Sequence, residues 1–300
     1  MRNILHYPTL QRERFYFLSK PFLFKVYIFL RICVFAHLPI CVFAQTQNIS
    51  RLTATSSSVP HIIGTGYLGV LGIGANAQNT TRLNNNTWGP DGSAKLTFGL
   101  GDPEKTIGAD IRLNIYGLSN KAGQQNNAGE STTDIHFSKK IKENIWVGIG
   151  GYDLLAWNAS EPNRIKSIYG ALSYTLPLRS DSSFFMRKLY ITAGVGSGRF
   201  RTDAHFSLKS SLPVGIFGSV AFQIISEGNI IAEWSGYGLY SGFSFFPFKK
   251  LPFQMMVGYD DMLHPQRRFV LAGSIGFYLK KNSGNKMYLP PPPPPQSSRV

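Results

Sequence analysis

The chain has 300 residues, of which 43% are hydrophobic and 16% charged, against roughly 25% charged in typical soluble domains. Its 13% aromatic content and 30 glycines exclude a disordered chain, which would be rich in charge and poor in aromatics. No apolar run after residue 45 approaches the roughly 20 residues that a membrane helix needs. The composition therefore indicates a β-protein with a large apolar surface.

The first 44 residues have the features of a secretory signal peptide. Basic residues are concentrated in the first 25 positions, and the apolar stretch "VYIFLRICVFAHLPICVFA" follows and ends at Ala44. A small residue before a polar one predicts cleavage between Ala44 and Gln45. The alternative is a retained membrane anchor, but Arg31 near the centre of such a helix would cost about 2.5–3.5 kcal/mol.

Cleavage at this point would change both the thiol content and the charge of the chain. Cys33 and Cys41 are the two cysteines, and both lie in the removed segment, so the mature chain would have no disulfide or thiolate site. The segment holds six of the 31 basic residues and one of the 16 acidic residues, which leaves 25 and 15 and a charge of +10. An exported basic chain suits anionic lipid, lipopolysaccharide or acidic polysaccharide rather than nucleic acid. The alternative is a scatter of solvated Lys and Arg.

Two segments outside the patterned region have biased compositions. Residues 45–64 begin as a polar, Ser/Thr-rich stretch and predict a flexible periplasmic leader. Residues 281–300 contain six consecutive prolines from Pro290 to Pro295, which predict a stiff polyproline II tail. This tail would either have no binding role or, as the alternative, bind a periplasmic partner.

Between these ends the dominant signal is an alternation with period two. In "IGADIRLNIYG", for example, Ile107, Ile111 and Ile115 alternate with polar residues. One face of such a segment is large and apolar and the other is small or polar, as in a half-buried strand. The predicted strands are 67–79, 93–100, 107–119, 132–139, 145–154, 167–177, 189–198, 212–225, 229–235, 238–247, 252–260 and 269–280.

The connections between these strands alternate between long and short. Outer-membrane barrels have this arrangement, with an even strand count, short periplasmic turns and longer outer loops. In lipid every backbone polar group must be paired, which without helices requires a closed barrel. We therefore predict an all-β fold, a transmembrane antiparallel β-barrel of about 12 strands over residues 65–280, located in the bacterial outer membrane. A soluble β-sandwich is the alternative, and the connections 178–188 and 236–237 break the alternation.

Three Gly-rich motifs carry a family resemblance. "GLGDP" begins at Gly99, "GVGSGRF" at Gly194 and "AEWSGYGLYSGFSFFPF" at Ala232. Together they resemble the YjbH-like group of bacterial outer-membrane barrel proteins, over roughly residues 65–280. The resemblance implies an outer-membrane location and a role linked to exopolysaccharide production.

Charged and polar residues on the small faces of the strands are the candidate lumen-lining residues. They would form either a structural salt-bridged network or the lining of a polar path. The strands 107–119 and 132–139 would bring opposite charges together as cross-strand neighbours. The candidates are Asp110, Arg112, Asn114, Asp134, His136, Lys140 and Glu233.

One pair of residues in the sequence could support enzyme catalysis. His136 and Ser138 lie two apart on one strand face, which would allow an imidazole to reach a serine in a lipid hydrolase. Their shared face is the polar one, however, and so points to the lumen. We predict no catalytic residues, cofactor or metal site. The expected function is a non-enzymatic pore or scaffold in exopolysaccharide export or envelope assembly, with a lipid hydrolase or a barrel that tethers a periplasmic partner as alternatives.

The expected partners follow from this location. An outer-membrane barrel contacts outer-membrane lipid and lipopolysaccharide and needs the barrel-assembly machinery for insertion. Anionic polysaccharide is a further partner that the basic charge would suit.

Overall fold

The computed structural model describes residues 54–82, 88–118, 130–157, 166–178, 187–202, 214–248, 251–263 and 267–278. The predicted signal peptide at 1–44, the first part of the leader and the Pro-rich tail at 281–300 lie outside these residues.

Twelve β-strands lie within the described residues and form one closed antiparallel barrel. Each strand pairs with its neighbours in the chain, and β1 closes the ring on β12. The predicted fold class is therefore confirmed. The strands are β1 (Val70–Arg82), β2 (Trp88–Gly101), β3 (Gly108–Tyr116), β4 (Glu130–Lys142), β5 (Ile145–Trp157), β6 (Ser167–Pro177), β7 (Lys188–Gly196), β8 (Gly215–Ile225), β9 (Gly228–Trp234), β10 (Leu239–Phe245), β11 (Phe253–Asp260) and β12 (Arg268–Tyr278).

The only helix in the described part of the chain is a 3-10 turn, Gly198–Phe200, in the connection between β7 and β8. Nowhere in that part is there a helix of sufficient length and apolarity to span a membrane.

The strands place their apolar faces outward. On β3, Ile111 and Ile115 are 36% and 43% exposed, whereas the residues that precede them, Asp110 and Asn114, are 5% and 6% exposed. The same alternation follows the ring, so large apolar side chains cover the outside, whereas the inside holds the polar residues together with clusters of buried aromatic and apolar side chains. An outer face with so many exposed large apolar side chains is unusual for a soluble protein.

The strands at the first hairpin are longer than predicted. The expected connection over residues 80–92 shrinks because β1 runs to Arg82 and β2 begins at Trp88. Backbone pairing continues past a register shift between Gln78 and Thr81, which extends β1 over residues 80–82 and β2 back to Trp88. Similarly, β5 runs to Trp157, and a bulge of two extra residues around Asp153, which has φ 53°, shifts its register against β4 between Thr133 and Ile135.

The connections define two ends of the barrel. We call the end that carries the β2–β3, β4–β5 and β8–β9 turns the turn end, and the opposite end the loop end.

The four-residue turn at Ser235–Gly238 is short although it lies at the loop end, and the Ser235 N–H donates to the Gly238 carbonyl across 3.0 Å. Gly236 has φ 106°, and a Cβ there would lie 2.0 Å from the Phe200 carbonyl oxygen, so the position requires glycine.

The core of the molecule lies inside the barrel and includes residues from before β1. One buried cluster joins Ile62 and Ile63 to inward side chains of five strands, and a second joins Val59 to aromatic residues. The described part of the leader predicted over 45–64, residues 54–64, thus lies inside the barrel. Its three apolar residues pack against the inner wall and its serine amides find partners there, which a polar composition did not reveal.

Candidate functional site

The residues before β1 occupy the lumen of the barrel. We call residues 54–66 the plug. The Ala54 carbonyl accepts hydrogen bonds from Asn229 Nδ2 of β9 at 3.0 Å and Ser244 Oγ of β10 at 2.7 Å. At the other end of the plug, the Gly66 N–H donates to the Asp110 carboxylate of β3 at 3.0 Å. Because β3 and β9 lie on opposite sides of the twelve-strand ring, a segment that contacts both passes through the lumen.

The tip of the plug is bound by one buried carboxylate. Glu233 on β9 is 1% exposed and accepts hydrogen bonds from the backbone N–H groups of Ser57 at 2.6 Å, Ser58 at 2.8 Å and Val59 at 3.0 Å. The Ser58 hydroxyl also donates to it. Successive backbone N–H groups that converge on an anion form a nest, and hydrogen bonds to a charged acceptor are the strong class. Glu233 therefore fixes the tip against the wall.

The plug enters and leaves at the same end of the barrel. Asn229, which holds Ala54, directly follows the β8–β9 turn, whereas Glu233 lies next to the loop-end turn. The chain then returns to Gly66, where a Cβ would lie 2.6 Å from the carbonyl carbon of Gly108, the first residue of β3. The plug is thus a re-entrant segment that rises to Glu233 and descends to the start of β1.

Apolar contacts hold the descending half of the plug. Ile62 is 2% exposed and packs with Trp146 of β5 in a cluster that also includes Tyr190 and Ile231. A Cβ at Gly148 would lie 3.0 Å from two carbon atoms of the Ile62 side chain. The small residue on β5 therefore makes room for the isoleucine.

An aromatic cluster covers the plug on the loop-end side. Tyr152, Tyr169, Phe200 and Phe217 pack around Val59, and the Phe200 and Phe217 ring centroids are 4.2 Å apart. Phe200 belongs to the 3-10 turn, so the β7–β8 connection folds inward to complete the cluster. The Arg199 guanidinium lies 4.4 Å from the Tyr152 ring centroid, a cation–π contact.

Five of the predicted lumen residues are brought together on β3 and β4. Arg112 Nη2 lies 3.3 Å from Asp110 Oδ2, and Asn114 Nδ2 donates to Asp134 Oδ2 at 2.8 Å. His136 Nδ1 lies 2.8 Å from the Tyr169 hydroxyl, while its Nε2 is 4.0 Å from Asp134. Asp134 and His136 are register partners of Arg112 and Asp110, but the close ion pair of Arg112 is with Asp110 on its own strand.

The other two predicted residues lie elsewhere. Lys140 is near the turn end, 3.8 Å from the Glu104 carboxylate and 5.9 Å from the Trp146 ring centroid. Glu233 is on the opposite wall, where it binds the plug. The seven predicted residues therefore form a network of five and two separate positions.

The arrangement that suggested a hydrolase is not a nucleophile–base pair. Ser138 Oγ donates to the Thr65 carbonyl of the plug at 3.0 Å, and His136 contacts Tyr169 instead. In the described ranges, no group of three or more His, Cys, Asp or Glu residues is arranged to hold a metal ion.

One side of the lumen is less filled than the rest. Asn114, Thr132, Ser173 and Ser219, which are inward residues of β3, β4, β6 and β8, are at most 6% exposed. On β12, β1 and β2, eight inward residues remain partly or fully accessible, and we call this set the open strip. Its residues are Gly72, Asn76, Ser93, Lys95, Thr97, Ala272, Ser274 and Gly276.

Sequence reasoning missed two of these features, the plug and Lys95. Lys95 is exposed within the lumen and lies on the inward face between Ser93 and Thr97, opposite the outward Leu96 and Phe98. The period-two alternation of β2 contained the signal for this placement. The plug gave no periodic signal, because it is neither strand nor helix.

Comparisons with known proteins give no family: no family model and no curated protein matches the chain. The class is defined by the fold, a closed twelve-stranded antiparallel barrel whose lumen holds a segment of its own chain.

Proposed function

We propose that this protein is a non-enzymatic β-barrel of the bacterial outer membrane. The observation that carries the proposal is the belt of exposed apolar side chains around a polar interior. Ile216, Ile168 and Ile149 are 70%, 65% and 62% exposed, and a further outward set is 38–52% exposed. That set comprises Ile73, Leu96, Leu172, Ile191, Val195, Val220, Ile230, Tyr259 and Leu271.

Lipid removes the cost of this belt. Each square ångström of apolar surface kept in water costs about 25 cal/mol relative to an apolar environment, so a ring of exposed isoleucines and leucines is unfavourable in a soluble barrel. In a bilayer the same ring is the expected surface, and the closed ladder leaves no strand edge unpaired. The membrane therefore provides the favourable environment that water does not.

Fractionation of the cell envelope tests this location. The full chain, expressed with its own N-terminal segment, should sediment with outer membrane on a density gradient and resist extraction with high salt. An N-terminal sequence beginning at Gln45 would support export and cleavage. Recovery in the soluble periplasmic fraction would contradict the proposal.

Within the envelope, we propose a scaffold or narrow-pore role in exopolysaccharide export or envelope assembly. The YjbH-like motifs suggest the exopolysaccharide setting, and the basic charge suits contact with lipopolysaccharide or anionic polysaccharide. The bound plug favours a scaffold or small-solute passage over polymer transit through the lumen. A deletion strain complemented with the wild-type chain should differ from the uncomplemented strain in exopolysaccharide yield. Equal yields would contradict this role.

The two alternatives receive less support. For a lipid hydrolase, Ser138 and His136 have different partners and face the lumen rather than the lipid. Replacing both by alanine should abolish the function of a hydrolase, whereas a scaffold should lose only the contacts of these residues with Thr65 and Tyr169 and stay close to wild type. The tethering role depends on residues 282–300, which are outside the described residues, and deleting them tests it directly.

A further inference from the structure

We propose that the open strip is a passage for small inorganic anions and that Lys95 sets its charge preference. The inference rests on the membrane location proposed above. It concerns the lumen beside β12, β1 and β2, where the plug leaves inward side chains accessible.

The first observation is that Lys95 is an accessible charge without a direct partner. Within the described part of the chain, its ammonium group makes no hydrogen bond or ion pair, although it is close enough to Arg112, Asp134 and Asp110 to interact with them electrostatically. The stem of Lys95 passes over Gly74, where a Cβ would lie 3.8 Å from the Lys95 Cε.

The second observation is that the neighbouring charges are already engaged. Arg112 pairs with Asp110, which also accepts the Gly66 N–H of the plug. Asp134 is 3% exposed and accepts hydrogen bonds from Asn114 and from the Asp153 N–H at 2.9 Å. Among the charged side chains at this height, Lys95 is the most exposed, whereas Asp110 and Asp134 are buried.

The loop end of the same side also carries charged residues, among them Asp91, Asp260, Asp261 and Arg268. Asp260 and Arg268 form an ion pair at 2.7 Å, so their charges cancel. Asp91 is on β2, four residues from Lys95, or about 13 Å along the strand. That distance exceeds the Debye length of about 8 Å at physiological ionic strength, so Asp91 does not offset the lysine.

The chemistry of the strip fits small hydrated anions. Apart from Lys95 its residues are Gly, Ala, Ser, Thr and Asn, which offer hydroxyl and amide donors and little bulk. A single accessible cation in a low-dielectric wall raises the local concentration of anions and repels cations. The plug occupies the rest of the lumen, so the passage suits ions of the size of chloride or phosphate.

Reversal potentials in planar bilayers test the inference. The full-length mature protein is reconstituted under a KCl gradient, and its reversal potential should lie on the chloride side. Lys95→Met, which keeps the length of the side chain, should lose the anion preference, and Lys95→Glu should shift the reversal potential to the potassium side. Lys105→Met is the matched control, because Lys105 is 79% exposed in the β2–β3 turn, outside the strip.

Three results would overturn the inference. One is a Lys95→Glu channel with a wild-type reversal potential, and another is an equal shift in Lys105→Met, which would assign the preference to general surface charge. The third is a wild-type protein that cofractionates with outer membrane yet conducts no ions. That last result would leave the proposed membrane location intact and would show that the strip is closed. Cofractionation of each variant with outer membrane confirms that it is inserted.

Discussion

At the scale of single residues, the most consequential side chain is Glu233. It is a buried carboxylate whose acceptor capacity is used by three backbone N–H groups and one hydroxyl of the plug. Its β-strand fixes its position, and without it the N–H group of buried Val59 would lose its partner, which costs about 1–3 kcal/mol, while those of partly buried Ser57 and Ser58 would lose theirs as well. Glu233 therefore anchors the plug to the barrel wall.

Glu233→Gln should weaken the hydrogen bonds between this side chain and the plug without changing the size of the side chain. The loss of charge-assisted hydrogen bonds should lower the free energy of unfolding by about 1.5–3 kcal/mol and increase the frequency of large-conductance openings in bilayers. Urea unfolding and single-channel recording are the measurements. Glu227→Gln, in the β8–β9 turn, is the control. A Glu233→Gln protein with wild-type stability and openings would show that the nest does not hold the plug.

The neighbours Ile111 and Arg112 test which face of β3 meets lipid. Ile111→Arg places a charge on the outward face, where it should destabilise the barrel by about 2–4 kcal/mol if it lies near the bilayer midplane. Arg112→Ala should leave the barrel folded but change its conductance or ion selectivity. Folding yields in detergent and bilayer recordings decide this. The reverse outcome, with only Arg112→Ala failing to fold, would mean that the assignment of inside and outside is inverted.

At the scale of elements, the barrel and the plug depend on each other unequally. The backbone N–H and C=O groups of the strands are paired with those of neighbouring strands around a closed ring, which the pairing of β1 with β12 completes. The plug, by contrast, has no regular structure of its own and relies on wall residues such as Glu233, Asp110 and Ser138 for its partners. The barrel should thus survive without the plug, but the plug has no fold without the barrel.

Replacing residues 54–66 with a Gly/Ser linker of equal length should leave an inserted barrel with a larger conductance. The inward polar residues would be solvated, while Trp146 and Tyr190 would lose apolar contacts, so the melting temperature should fall. Bilayer conductance and thermal unfolding in detergent are the measurements. A conductance equal to that of the wild type would mean that another part of the chain closes the lumen.

The strands could be predicted from the sequence, whereas the plug could not, and the reason is physical. A strand carries its own signal, since alternate residues of β3 face the outside and the lumen whatever their partners are. The plug is held by contacts far apart in the chain, such as Ser58 with Glu233, and its sequence has no pattern that distinguishes it from a polar leader. The position of Asp110, Arg112 and Asn114 on one face followed from alternation, but the choice of Asp110 rather than Asp134 as the partner of Arg112 depends on side-chain geometry.

At the scale of the whole molecule, the distribution of polarity is inverted relative to a soluble protein. The outside is apolar, and the inside holds Glu233, Asp110, Asp134 and their partners with a segment of the same chain. This arrangement explains the low charge content, and glycines on inward faces make room for the aromatic side chains inside the barrel. Under the proposed membrane location, the isolated chain should fold only where a bilayer or detergent covers the belt.

Electrophoretic mobility before and after boiling tests this account most directly. A closed barrel in detergent keeps its ladder in sodium dodecyl sulfate at room temperature and unfolds only on heating. The purified mature protein should therefore migrate faster unboiled than boiled, and Ile111→Arg should reduce the fast-migrating fraction. A protein that is monomeric in buffer without detergent and migrates identically in both samples would contradict the membrane-barrel account.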